Sequence, residues 1–86
     1  MPDVYILEHA VVTEKKKLGG HWEIAYRYVT CRWAFDSYNK AVEYRDSKPY
    51  VLLDASFGNR KVSPYKWNST RERVYDEFQI FRLEVN

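Results

Sequence analysis

Residues 4–13 read VYILEHAVVT, a stretch rich in β-branched and aromatic residues that predicts a strand. Ile6 and Val12 would lie on one face of this strand, and Leu7 and Val11 on the other. Apolar side chains on both faces are typical of a central strand that is covered, at least in part, on each side.

A hairpin is predicted next. A charged stretch precedes Gly19 and Gly20, and glycine adopts the positive φ of a tight turn without steric cost. Residues 21–33, HWEIAYRYVTCRW, then predict a second long strand, antiparallel to the first. Its apolar residues change phase after Tyr28, which indicates either a β-bulge or a second covered face.

The start of the second strand carries an apolar stripe of Trp22, Ile24, Tyr26 and Tyr28, and a polar stripe of His21, Glu23 and Arg27. We expect the apolar stripe to form the core under a helix and the polar stripe to face solvent. The alternative is that the aromatic rings form an exposed platform of the kind that RNA-binding sheets use.

The helix is predicted to begin after Asp36 or Ser37, either of which can cap it, and to run to about Asp46. Pro49 ends it, because proline disfavours the α conformation of the residue before it. The buried face is expected to carry residues spaced three or four apart: Tyr38, Ala41, Val42 and Arg45.

The rest of the chain predicts, in order, a strand at 50–54, a turn at 57–59, a loop or edge segment at 60–68, and a closing strand at 77–85. Ser69 and Glu72 have the spacing of a capping box for a short helical turn. The sequence therefore predicts one α+β domain over residues 1–86. Its antiparallel sheet would have about four strands, in the order β-β-α-β-β, with one main helix packed on one face.

Composition limits the class of protein. A chain of 86 residues fits one small domain, and an apolar content of 45% is that of a globular protein. The single cysteine, Cys31, excludes an intrachain disulfide and a thiolate zinc cluster, and we expect its thiol to be buried and inert. No apolar run approaches the roughly 18 residues of a membrane span, and no signal peptide is evident, so the expected compartment is the cytoplasm.

At Tyr5-Ile6-Leu7-Glu8-His9 the chain resembles a family of short uncharacterised phage and bacterial proteins that open with a Y-[VI]-L-E-H strand. That family continues with a second strand and an amphipathic helix, and finishes on an F-x-I-x-x-Y-x-L strand. Residues 78–85 correspond to this last strand, with Leu83 where the family often has tyrosine. The resemblance implies an accessory protein of a phage or mobile element, which binds and blocks host machinery in a counter-defence or host-takeover role. It implies no catalytic residues.

The strongest candidate binding segment is residues 59–73, NRKVSPYKWNSTRER. Its cations are Arg60, Lys61, Lys66, Arg71 and Arg73. They outnumber one acid, Glu72, and alternate with Tyr65 and Trp67. Cations neutralise phosphates and aromatic rings stack on bases, which fits RNA or single-stranded DNA. The same residue types dominate protein–protein hot spots, and a solvated loop with both rings folded onto the core is the third interpretation.

A second basic site, Lys15, Lys16 and Lys17, lies at the predicted hairpin tip. A charged tip is usually a solubilising turn. If it lay beside residues 59–73, the two would form one electropositive surface that steers an acidic partner.

Catalytic patterns are weak. His21, Glu23, Arg27 and Tyr28 supply the residue types of a metal-independent ribonuclease, but their spacing does not require it. No third ligand is spaced to join His9 and His21 in a metal site, so no metal or cofactor is predicted.

The sequence thus predicts a small non-enzymatic binding protein, an accessory or inhibitor of phage type that binds a host protein or ribonucleoprotein. Its binding residues would be Tyr65, Trp67 and the cations of both basic sites. The alternative is a direct RNA or single-stranded nucleic-acid-binding protein that uses residues 59–73. A small ribonuclease is the third reading.

Overall fold

The computed structural model describes residues 3–47, 56–57 and 60–84, with side chains for all of these except 56–57. Within these residues, six strands form one antiparallel sheet and one helix packs against it. The elements are β1 (Asp3–Lys16), β2 (Trp22–Phe35), α1 (Tyr38–Asp46), β3 (Ser56–Phe57), β4 (Arg60–Val62), β5 (Lys66–Trp67) and β6 (Arg73–Glu84). The predicted α+β class is confirmed.

The sheet has the order β2-β1-β6-β4-β3. The remaining strand, β5, is outside this order and pairs directly with β6. β1 is central, as its two apolar faces predict. The expected order β-β-α-β-β with about four strands is wrong, because residues 56–67 contribute three strands of two or three residues each. Of these short strands, β4 and β5 are specified by pairing with the long β6, and β3 by pairing with β4, rather than by a pattern of their own. Pro64 interrupts the stretch.

The hairpin between β1 and β2 closes as predicted. Gly19 and Gly20 have φ values of 97° and 88°. The register between the two strands shifts twice, which leaves Ala25 and Thr30 of β2 without a paired residue in β1. The bulge expected after Tyr28 thus occurs at Thr30, and a second occurs at Ala25.

The core lies where α1 covers one end of the sheet. Leu7, Ala41, Phe78 and Ile80 form its buried centre. Rings from both the sheet and the helix surround them: Tyr5, Trp33, Phe35, Tyr38 and Tyr44. The helix begins as predicted, since the Ser37 hydroxyl oxygen accepts a hydrogen bond from the Lys40 N–H at 3.1 Å. Ala41 and Arg45 are its buried residues.

The apolar stripe at the start of β2 does not form this core, so that prediction is wrong. Tyr26 and Tyr28 are 60% and 56% exposed. The helix instead covers the other end of β2, where Trp33 and Phe35 lie 5.2 Å and 5.4 Å from the Tyr44 ring.

The bulge at Ala25 also divides the stripe. Tyr26 pairs with Thr13, whereas Ile24 pairs with Glu14, the next residue of β1. Successive residues of a strand point to opposite faces, so Tyr26 and Ile24 lie on different sides of the sheet. A strict two-residue period in the sequence therefore gave the wrong face.

Three further expectations need correction or lie outside the described residues. Cys31 is exposed rather than buried, because β2 is an edge strand and α1 packs further along it. The helical turn after Ser69 is absent from the described structure, where residues 69–70 form a turn and β6 begins at Arg73. The strand predicted at 50–54 and residues 58–59 of the predicted turn lie outside the described residues. None of the described helices is long and apolar enough to cross a membrane.

We expect Leu7→Ala to lower the free energy of unfolding by about 3 kcal/mol, because it leaves a cavity under the helix. Leu18→Ala is the matched control, since Leu18 is fully exposed at the hairpin turn and its loss should cost under about 0.5 kcal/mol. Urea unfolding followed by circular dichroism measures both. Equal effects of the two substitutions would contradict the placement of the core.

Candidate functional site

An open cleft of about 670 Å³ lies between the β1–β2 hairpin tip and the segment that precedes β6. We call it the tip cleft. Its walls are formed by Lys15, Lys16, Trp22, Trp67, Thr70, Arg71 and Glu72. The structure therefore brings two predicted basic sites together, although the 41 residues 18–58 separate them in the chain.

Aromatic rings form one part of the tip cleft. Trp67 pairs with Arg73 across β5 and β6, which places its ring 5.6 Å from the Trp22 ring and 5.4 Å from the Tyr65 ring. Trp67 is 58% exposed and Tyr65 46% exposed. The reading in which both rings fold onto the core therefore does not hold.

Asn68 organises the turn that forms the opposite wall. Its Oδ1 accepts hydrogen bonds from the backbone N–H groups of Thr70 and Glu72, at 3.0 Å and 2.8 Å. Arg71 between them is exposed and adopts a left-handed φ of 60°, which is uncommon for a residue other than glycine. This turn places Arg71 among the residues that line the cleft.

Glu72 keeps its charge in this wall. Its carboxylate accepts hydrogen bonds from the Thr70 hydroxyl at 2.7 Å and from the Asn68 amide at 3.0 Å. These two bonds lower the pKa of Glu72, and the positive charge of Lys15 lowers it further.

Glu14 holds the aromatic rings and Arg73 in place. Its carboxylate accepts from Arg73 Nε at 2.5 Å and from the Tyr75 hydroxyl at 2.8 Å. The Arg73 guanidinium lies 4.3 Å from the centre of the Trp22 ring and 5.3 Å from that of the Tyr65 ring. Burial and the bond to Glu14 raise the pKa of Tyr75 to about 12. Arg73 is therefore part of the scaffold of the site.

Arg60 and Lys61 do not line the tip cleft. Arg60 Nε donates to Glu77 at 2.6 Å on the sheet face opposite the helix. Lys61 Nζ donates to Asp46 at 3.0 Å on the helix side. The alternation of a strand sends these neighbours to opposite faces, which the sequence analysis did not anticipate.

The remaining cations of the two basic sites form fewer ion pairs. Lys17 binds Glu23 at 2.8 Å and does not line the cleft. In the part of the chain that the structure describes, Lys15, Lys16, Lys66 and Arg71 form no ion pair within 4.0 Å. Among the described residues, these four cations form no ion pair and are available to a partner.

A pair of buried carboxylates explains why Arg60 is not available to a ligand. Glu8 and Glu77 lie side by side on the face opposite the helix, and Arg27 Nη2 contacts them at 2.6 Å and 2.7 Å. Arg32 is the second partner of Glu8, at 2.8 Å, and Arg60 is the second partner of Glu77. Burial alone would raise the pKa of Glu8, but the hydrogen bonds from Arg27 and Arg32 outweigh it and hold that pKa below its ordinary value.

The predicted ribonuclease residues do not converge. Arg27 is bound to the two buried glutamates and Glu23 to Lys17, while His21 is exposed at the hairpin turn. Across the described ranges, no three His, Cys, Asp or Glu side chains are grouped to hold a metal ion.

Sequence reasoning missed three members of the tip cleft, Trp22, Thr70 and Glu72. The signal for Trp22 was the two-glycine turn, because hairpin pairing places Trp22 directly opposite Lys16. Glu72 was interpreted as a helix cap, and its place in the cleft depends on the turn that Asn68 stabilises.

No family model, no curated protein and no solved structure matches the chain. The resemblance of residues 5–9 to short phage proteins therefore stays a prediction, and the function is inferred from the tip cleft itself.

We expect Glu8→Gln to destabilise the protein by about 2 kcal/mol at neutral pH, because Arg27 and Arg32 lose a charged acceptor and both are partly screened by solvent. The pKa of Glu8 is lowered in the folded state. Its contribution to the free energy of unfolding is therefore complete above about pH 4.5 and is lost as the pH falls further. The difference in the free energy of unfolding between wild type and variant should therefore narrow in acid.

Urea unfolding at neutral pH and at about pH 3, below the ordinary glutamate range, measures this difference. Glu43→Gln on the exposed side of α1 is the control and should change little at either pH. An unchanged difference for Glu8→Gln would contradict the charged pairing.

Proposed function

We propose that the protein is a non-enzymatic binding protein and that the tip cleft, with Tyr65 beside it, is its contact surface for a partner protein. The observation that carries this proposal is the meeting of two distant basic segments around half-exposed aromatic rings. An accessory or inhibitor of phage type, acting on a host protein or ribonucleoprotein in the cytoplasm, fits such a surface.

The residue types of this surface support binding to a protein. Trp, Tyr and Arg are the side chains that most often dominate interface energies. Trp67 and Tyr65 expose about half of their surface, although a small domain gains stability by burying such rings. Trp67 packs on the Trp22 and Tyr65 rings, and Arg73 lies over both of those rings, so little side-chain freedom would be lost on binding.

Charge supports an acidic partner. Lys15, Lys16 and Arg71 line the tip cleft, in a chain whose formal net charge is +2. A local positive surface accelerates the encounter with a negative one and favours one orientation of docking.

A second candidate is direct binding of single-stranded nucleic acid. It is favoured by the position of Lys15 and Lys16 in the same cleft as Trp67, since cations beside an exposed ring can hold phosphates while a base stacks. Arg60, Lys61 and Arg73, however, are already bound to carboxylates.

We expect Trp67→Ala to weaken binding to the partner protein by about 2 kcal/mol or more, the loss typical of a hot-spot tryptophan. The partner would be captured from host lysate on the immobilised protein, purified, and its Kd measured by calorimetry. Leu83→Ala is the control, because Leu83 is similarly exposed at the other end of β6. Equal affinities for the two variants would exclude the tip cleft as the contact surface.

The nucleic-acid candidate makes a separate prediction. If the four cations without ion pairs contacted phosphates, log affinity for single-stranded RNA would fall against log salt with a slope of about −2.8, rather than the −3.5 or so expected for five cations. Between about 50 and 200 mM salt this is a loss of about 50-fold. Fluorescence anisotropy with labelled RNA measures it, and absence of binding at either salt would remove this candidate.

A further inference from the structure

The tip cleft is not uniformly basic. Glu72 lies in its wall, and its carboxylate is fixed by the Thr70 hydroxyl and the Asn68 amide. The phosphodiester backbone of a nucleic acid presents acceptors and negative charge, and would meet Glu72 as a like charge. A polypeptide presents an N–H donor at almost every residue, and one of these can bind such a carboxylate.

Cations lie on both sides of the same cleft. Lys15 and Lys16 come from the hairpin tip, and Arg71 comes from the facing turn. Within the described residues, Lys16 and Arg71 form no ion pair, so their charges are available to carboxylates of a ligand. Arginine binds a carboxylate with two parallel hydrogen bonds, which a flexible lysine complements as a point charge.

The aromatic part of the cleft adds an apolar contact. The Trp22 and Trp67 rings are tilted by 51°, with Arg73 over Trp22 and much of Trp67 exposed. An apolar side chain can therefore pack on Trp67 between the two cationic walls. The volume of about 670 Å³ is that of a pocket for a short segment rather than for a folded domain.

We propose that the tip cleft binds a short acidic segment of polypeptide, in which carboxylates flank an apolar side chain and a backbone N–H meets Glu72. This inference rests on the proposed function and specifies the partner of that surface. The apolar side chain contacts Trp67, and the flanking carboxylates contact Lys16 and Arg71.

The three tryptophans of the chain make a direct test possible. Trp22 and Trp67 line the tip cleft, whereas Trp33 packs on Tyr44 under the helix and serves as an internal control. The probe is a short synthetic peptide of Glu and Asp with a central leucine, and ¹⁵N NMR follows the three indole N–H signals. We expect the Trp22 and Trp67 signals to shift, with a Kd on the order of 1 mM or tighter, while Trp33 stays in place.

Two comparisons sharpen the test. A peptide with Gln and Asn in place of the acids should bind at least about 5-fold more weakly, because its charges are lost. Arg71→Gln should weaken binding of the acidic peptide by a few-fold, while Lys40→Gln on α1, the same change of charge far from the cleft, should leave it unchanged.

Glu72→Gln separates a peptide from a nucleic acid. It removes a like charge for both ligands, but only the peptide also loses the charged acceptor of its N–H. Binding of an oligouridylate should therefore tighten more than binding of the acidic peptide. The spectra of each variant report whether it is folded.

The inference is overturned if the acidic peptide leaves Trp22 and Trp67 unshifted at about 1 mM, or if the oligouridylate shifts them more strongly than the peptide does. Either result leaves the tip cleft as a contact surface for a different partner. Failure of the proposed function has another signature, namely a captured partner whose affinity is insensitive to Trp67→Ala.

Discussion

Twelve consecutive residue pairs join β1 to β6, from Asp3 with Glu84 to Glu14 with Arg73. This pairing supports every other part of the structure. At one end it places Leu7 beside Ile80 under the helix, and at the other it brings Glu14 to Arg73 at the tip cleft. The core and the candidate site therefore share one pair of strands and lie at opposite ends of it.

The helix covers only one face of these paired strands, so the other face must be covered in a different way. Two glutamates, Glu8 and Glu77, are buried there, which would be strongly unfavourable for isolated charges. Three arginines from β2 and β4 supply hydrogen bonds to both, so the charges are paired and satisfied. Long arginine stems cover the sheet while their charged ends bind the carboxylates, so ion pairs cover this face in place of a second apolar layer.

The sequence predicted those elements whose local signals are strong. The strand at residues 4–13, the two-glycine turn and the helix capped by Ser37 all follow from periodicity, turn chemistry and capping. The faces of β2 followed only in part. The bulge at Thr30 leaves a phase change in the sequence, whereas the bulge at Ala25 also reverses the alternation and is fixed by the register with β1 rather than by β2 alone.

The candidate site was predicted in its parts but not in its assembly. The residue types of Trp67, Tyr65 and Arg71 indicated a binding surface, and Lys15 and Lys16 a basic tip. Which cations are free was not predictable, because the ion pairs of Arg60 and Lys61 involve partners 15 or more residues away. Such contacts depend on long-range strand pairing, which cannot be predicted from composition.

The tip cleft has one wall from the hairpin and one from the turn before β6, and the two walls meet through the last strand of the described chain. A growing chain on the ribosome therefore carries the lysines of the hairpin long before it has a cleft. Contacts between residues so distant in the sequence form late, since a long loop must close first. The basic hairpin alone is a charged surface, and the cleft exists only once β6 has paired with β1.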